Sequence, residues 1–188
     1  TSGICLLNSS YISNNLPFAI GHDDTNTPPA VLWMVSGSNV FPCGCEVGRN
    51  GILRGKGIID MRREDLVIYV KGRIEPGDSP GIVTVLGSLA LTNTSVIDIE
   101  IGGTNVGTEY DRVAVSGGAY LDGTLHATLI SNFMPAIGHS FEIMTYALAS
   151  NAFDTMELSI LAADRKWNVS YGSTSLVLAV TNIPDLDL

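Results

Sequence analysis

Basic residues are scarce. Ten Lys and Arg stand against 19 Asp and Glu, a net charge of −9. A surface of that sign repels phosphate backbones, so nucleic acid is disfavoured as a partner. Long apolar runs are missing as well. No stretch approaches the roughly 20 residues that a membrane-spanning helix requires, so no membrane insertion is expected. Helical periodicity is nearly absent, and the best candidate, Met156 to Trp167 (MELSILAADRKW), reads ambiguously. Charged residues are only 15% of the chain and aromatics 7%. The chain opens on Thr1 rather than Met. The expectation is therefore a processed product or a fragment, with any signal peptide already removed.

Cysteine is limited to Cys5, Cys43 and Cys45. The Cys43-Gly44-Cys45 spacing is C-x-C, and no second pair completes four zinc ligands. No metal or other cofactor is expected. Residues two apart on an extended segment face the same way, so Cys5 could bridge to either Cys43 or Cys45, leaving one thiol over. The alternative is three small buried residues.

What the chain has in quantity is glycine, 20 residues of it, and short β-branched runs between turn residues. VLWMV (31–35), LVIYV (66–70), IVTVL (82–86), VIDIEI (96–101), RVAV (112–115) and SLVLAV (175–180) are such runs. In VIDIEI, Val96, Asp98 and Glu100 face one way and Ile97, Ile99 and Ile101 the other, as in a strand with one wet face. LVIYV is apolar throughout, which points to burial on both faces or to an interface. Gly51, Gly57, Gly72, Gly87 and Gly118 each precede a short alternating stretch, with no fixed period. Irregular rungs of this kind predict an all-β chain folded as a right-handed parallel β-helix. An antiparallel β-sandwich is the alternative. TLHATLISNFMPAIGHSFEIMTY reads as two strands joined in a hairpin, and an antiparallel cap of this kind would cover the open end of a solenoid. The predicted organisation is an extended N-terminal segment over 1–30, β-helix rungs over 31–125 and an antiparallel C-terminal cap over 126–188.

From about Val31 to Asn182 the chain resembles the repeat-rich β-helical regions of bacterial surface and secreted proteins, autotransporter passengers among them. The likeness rests on NGILRGKGIID (50–60), GRIEPGDSPGIVTVLGSLAL (72–91), IDIEIGGTNVGTEYDRVAVSGGAYLDGTL (97–125), FMPAIGHSFEIMTY (133–146), ASNAFDTMEL (149–158) and WNVSYGSTSLVLAV (167–180), in that order. The first 30 residues and the CGC motif fall outside it. The resemblance implies an extracellular or cell-surface β-solenoid without catalysis, serving as a stalk, spacer, adhesin or assembly module.

Gly77-Asp78-Ser79-Pro80-Gly81 matches the G-x-S-x-G nucleophile elbow. The elbow needs a helix after the serine and an N–H on the following residue. Pro80 has no N–H, and IVTVL is a β-run, so the stretch is predicted to be a corner between strands. His22, His126 and His139 read as structural or surface residues, and no Ser-His-Asp set assembles from spacing. Asp98, Glu100, Glu109 and Asp111 invite a calcium site, but without a D-x-D-x-D-G loop a solvated acidic face is the better reading. Arg49, Arg54, Lys56, Arg62, Arg63, Lys71 and Arg73 read as a solvated face that neutralises nearby acids. Trp33, Tyr69, Tyr110, Tyr120, Trp167 and Tyr171 could form a sugar-stacking platform, although single aromatics on strands more often pack the core.

The function expected is a non-enzymatic structural module of a bacterial surface protein that associates with copies of itself or with other surface proteins. The N-terminal residues Ile4, Leu6, Leu7, Tyr11, Ile12, Leu16 and Phe18 form the candidate assembly segment, able to add as a strand to a neighbour. The alternatives are an adhesin or glycan-binding module and, behind it, a polysaccharide-active enzyme.

Overall fold

The computed structural model describes residues 3–13, 15–24, 26–63 and 65–184. Thr1 and the last four residues lie outside the described residues. Every regular element is a strand, and no helix forms among the described residues. The parallel strands stack into a β-solenoid of about 6 turns.

Each turn lays one strand on each of three sheets, A, B and C, in that order. The first turn supplies β1 (Gly3–Asn8) to A and β2 (Phe18–Ile20) to C, while at B only Tyr11 bridges in parallel to Val40. The second turn is β3 (Ala30–Ser36), β4 (Ser38–Val40) and β5 (Cys45–Val47); the third is β6 (Gly51–Gly55), β7 (Gly57–Asp60) and β8 (Val67–Val70). The fourth is β9 (Arg73–Pro76), β10 (Ile82–Leu86) and β11 (Ser88–Leu91), and the fifth is β12 (Val96–Ile101), β13 (Arg112–Val115) and β14 (Gly118–Tyr120). The sixth is β15 (Thr124–Leu129), β16 (Ser140–Thr145) and β17 (Leu148–Ser150). Then β18 (Thr155–Leu158) ends sheet A, and β19 (Arg165–Tyr171) and β20 (Ser175–Asn182) form an antiparallel hairpin that joins sheet B through β16.

The alternation of the sequence sets which side chains enter the tube. Along sheet A, Leu32, Leu53, Ile74, Ile97 and Leu125 stand opposite one another in register and are all buried. In sheet B, Ile59, Val85 and Val115 do the same, and in sheet C Ile68, Leu89 and Ala119. Identical positions in successive turns therefore pack on one another, and each turn buries its apolar face only against its neighbours. Glycine serves the corners. Gly55, between β6 and β7, has φ of +102°, and a Cβ there would meet the Met34 carbonyl oxygen at 2.1 Å. Only glycine accepts both conditions without strain.

Two expectations are corrected and one ambiguous stretch is settled. The predicted hairpin over TLHATLI and FEIMTY does not form: β15 pairs with β12 and β18 in sheet A, and β16 pairs in parallel with β13 in sheet B. The hairpin lies one step later, at β19 and β20. LVIYV is not buried on both faces, because Ile68 and Val70 enter the core while Tyr69 is 55% exposed. MELSILAADRKW is not a helix: it runs from β18 through a connecting loop into β19. An aromatic cluster sits against the cap, with Phe141 fully buried and its ring 5.4 Å from Tyr110, 6.2 Å from Phe133 and 6.0 Å from Trp167.

Candidate functional site

The outward-facing positions of sheet A carry the charges. Leu6, Trp33, Arg54 and Glu75 form one file, and Asp98, His126 and Glu157 stand opposite one another further along the sheet. Between them lies an open cleft of about 430 Å³, lined by Arg54, Arg73, Glu75, Asp98 and His126 and by the corner that holds Ser79.

Its charges are paired turn against turn. Arg54 Nε donates to Glu75 Oε2 at 2.6 Å, and the guanidinium also lies over the Trp33 ring at 5.9 Å. Arg73 donates to Asp98, whose other oxygen meets His126 Nδ1 at 2.6 Å. His126 Nε2 reaches the Thr128 hydroxyl at 3.3 Å. The strand spacing of about 4.8 Å puts opposite charges on adjacent rungs within bonding reach, where exposed pairs each contribute up to about 1 kcal/mol. Other basic residues also pair with acids: Arg62 with Asp60 at 3.3 Å and Arg63 with Asp65 within one turn, and Lys71 with Asp23 at 2.7 Å between turns. Asp23 and Asp65 are consequently held below the usual carboxylate range, chiefly by the bonds from Lys71 and Arg63.

The cleft floor explains two motifs together. The GDSPG stretch is the corner from β9 to β10, followed by a strand. Ser79 itself has φ of +80°, a costly conformation for a residue with a side chain. Asp111, from the EYD motif, is 1% exposed and ties that corner down. Its Oδ1 accepts Gly81 N–H at 2.6 Å and its Oδ2 accepts Glu100 N–H at 2.8 Å. Burial pushes the Asp111 carboxyl up to about 7, with Glu100 and Asp98 adding to the rise and the two N–H donors opposing it. Glu109, one step earlier, folds the excursion between β12 and β13. Its Oε2 accepts the N–H groups of Thr104 at 2.8 Å and Asn105 at 2.9 Å, which lower its pKa. Among the described residues no group of three or more His, Cys, Asp or Glu side chains converges to hold a metal ion.

The remaining candidates are dispersed. His22 Nδ1 accepts the Asp24 N–H at 3.2 Å, and His139 stacks on Phe133 with ring centres 6.1 Å apart. Cys5, Cys43 and Cys45 are all free thiols, and the structure brings no pair together. Cys5 lies on sheet A in the first turn and Cys45 on sheet C in the second, where burial pushes its thiol up to about 12. Within the assembly segment, Leu7 is buried and Ile12 and Phe18 pack against the core. Ile4, Leu6, Tyr11 and Leu16 are each close to two-thirds exposed. The segment is the first turn of its own solenoid, with β1 paired to β3 and β2 to β5.

The fold and this site define a single parallel β-solenoid with a charge-paired cleft on one face and a hairpin cap at its C-terminal end. Neither a known protein family nor a curated protein matches the chain.

Proposed function

We propose that the chain is a non-enzymatic, extracellular structural module of a bacterial surface protein, of the kind that autotransporter passengers exemplify, and that copies of it stack end to end into a filament. The observation that carries this reading is that, among the described residues, sheet A has no strand beyond β1 at one edge or beyond β18 at the other. Its order runs from β1 to β18, all parallel, with the hairpin cap confined to sheet B. A second copy placed along the axis would extend sheet A by pairing its β1 with β18 of the first, which is the ordinary hazard and use of an uncovered edge. Ile4 and Leu6 stand exposed on β1 at that edge, where the outward side chains of an added strand would lie beside them. The non-enzymatic part is supported by the cleft, where both arginines and the histidine are already engaged by carboxylates.

Light scattering across a concentration series, with electron microscopy of the largest species, tests it. The expected result is axial assemblies that shorten or vanish in the Ile4→Lys, Leu6→Lys double variant, whose circular dichroism stays that of a β-protein. A particle of 19.9 kDa at every concentration overturns the assembly, and release of reducing ends from acidic or neutral glycans overturns the non-enzymatic reading.

A further inference from the structure

The outer face of sheet C differs from that of sheet A. One file of side chains runs along it, Ala19, Glu46, Tyr69, Ala90, Tyr120 and Ser150, each opposite the next in register. Two of the six are aromatic, and they are separated by one small residue. Tyr69 is 55% exposed and Tyr120 46%. Among the described residues neither ring packs against another aromatic ring. Because they sit two strands apart, the rings repeat at about 9.5 Å along the solenoid axis, with Ala90 as a low floor between them.

We infer that this file is a binding face for an extended β-1,4-linked glycan. In such a chain successive sugars are turned over, so every second ring presents the same face, and that disaccharide repeat is close to two strand spacings. The axial C–H groups of alternate sugars then lie on the electron-rich faces of Tyr69 and Tyr120, and the intervening sugar passes over Ala90. Next to Tyr69 the file opens into a cleft of about 290 Å³ whose polar groups include Glu46, Asp23 and Lys71. Lys71 Nζ donates to Asp23 at 2.7 Å, and the carboxylates and ammonium there supply acceptors and donors for sugar hydroxyls. Sheet A offers no equivalent, since its outward Trp33 is covered by Arg54. A protein partner would have no need of a repeat set by the strand spacing, whereas a polymer of matching period engages both rings at once. The face lies on the side of the solenoid, so end-to-end stacking leaves it open and multiplies it, and the inference does not depend on that stacking.

Retention of the whole protein on microcrystalline cellulose and on chitin beads, followed by titration with the matching hexasaccharide, is the test. The expected result is retention on at least one of the two, the choice between them identifying the sugar. Tyr69→Ala and Tyr120→Ala each weaken binding about two- to tenfold, as loss of one stacked ring implies. Tyr69→Phe and Tyr120→Phe keep it, because the ring face does the work. Tyr11→Ala, which removes a still more exposed ring from outside this file, leaves binding unchanged. Lack of retention on both materials overturns the inference, as does binding that is indifferent to both alanine variants while they remain folded.

Discussion

Replacing Asp111 probes how the GDSPG corner is held. The carboxylate is 1% exposed and accepts two backbone N–H groups from different turns, Gly81 at 2.6 Å and Glu100 at 2.8 Å. Asp111→Ala leaves both donors in a buried site without partners. Each such orphan costs about 1–3 kcal/mol, so the loss is about 2–6 kcal/mol. Asp111→Asn keeps the shape but supplies one acceptor and one NH₂, so one donor faces another and about half the loss is expected. The acid also sets a pH dependence. Its folded pKa of about 7 lies above the unfolded value near 3.9, so the folded state binds the proton more tightly. The stabilisation is fully present below about pH 3.9 and is lost as pH rises through 7. Between pH 5 and 8 that loss is roughly 2–3 kcal/mol. Urea denaturation of the wild type and both variants at pH 5 and pH 8, followed by circular dichroism, measures all of it. Wild type should lose stability over this interval and Asp111→Asn should not. An Asp111→Ala variant within 0.5 kcal/mol of wild type, or a wild-type to Asn difference that is the same at both pH values, would refute the reasoning.

Ile74→Ala, in the middle of the sheet A core file, should cost about 2–5 kcal/mol in the same assay, because a cavity opens between the Leu53 and Ile97 layers. Gly55→Ala should cost about 1–3 kcal/mol from the positive φ alone, and more from the contact with the Met34 carbonyl; a neutral effect would mean the corner can shift. Glu109→Ala should leave the solenoid folded but speed proteolytic cleavage within 102–110, read by mass spectrometry of the first fragments, since the loop loses the side chain that gathers its N–H groups.

The strand pattern of VIDIEI is plain in the sequence because Ile97, Ile99 and Ile101 bury on one face while Asp98 and Glu100 stay wet. The solenoid was readable for the same reason, with glycines such as Gly55 marking corners. Pairing was not. TLHATLI and FEIMTY are adjacent in the chain and alternate well, yet each pairs with strands of the preceding turn and of later chain rather than with the other, and local alternation carries no information about distant register. LVIYV concealed an outward Tyr69 because tyrosine counts as apolar in a pattern while its hydroxyl end is content in water. The charge ladder of the cleft was hidden by unequal turns: Arg54 and Glu75 are 21 residues apart, Arg73 and Asp98 25, Asp98 and His126 28. No fixed period links them. The favoured reading of the basic residues, a face that neutralises its acids, needed no register and agrees with the pairs that form.

The hydrogen bonds that join one turn to the next run along the solenoid axis on all three faces. Tension along that axis is therefore shared by every bond of a seam at once, and the tube resists stretching as a bundle does. Tension applied through the chain ends acts on one strand at a time. The N-terminal end is expected to yield first, because there sheet B is held by Ile12 N–H to the Val40 carbonyl at 2.9 Å and Val40 N–H to the Ser10 carbonyl at 2.7 Å. The opposite end is locked by the seven paired positions of β19 and β20. A shaft built from this unit is expected to fail from its N-terminal end, shedding its first turn while the rest still bears load.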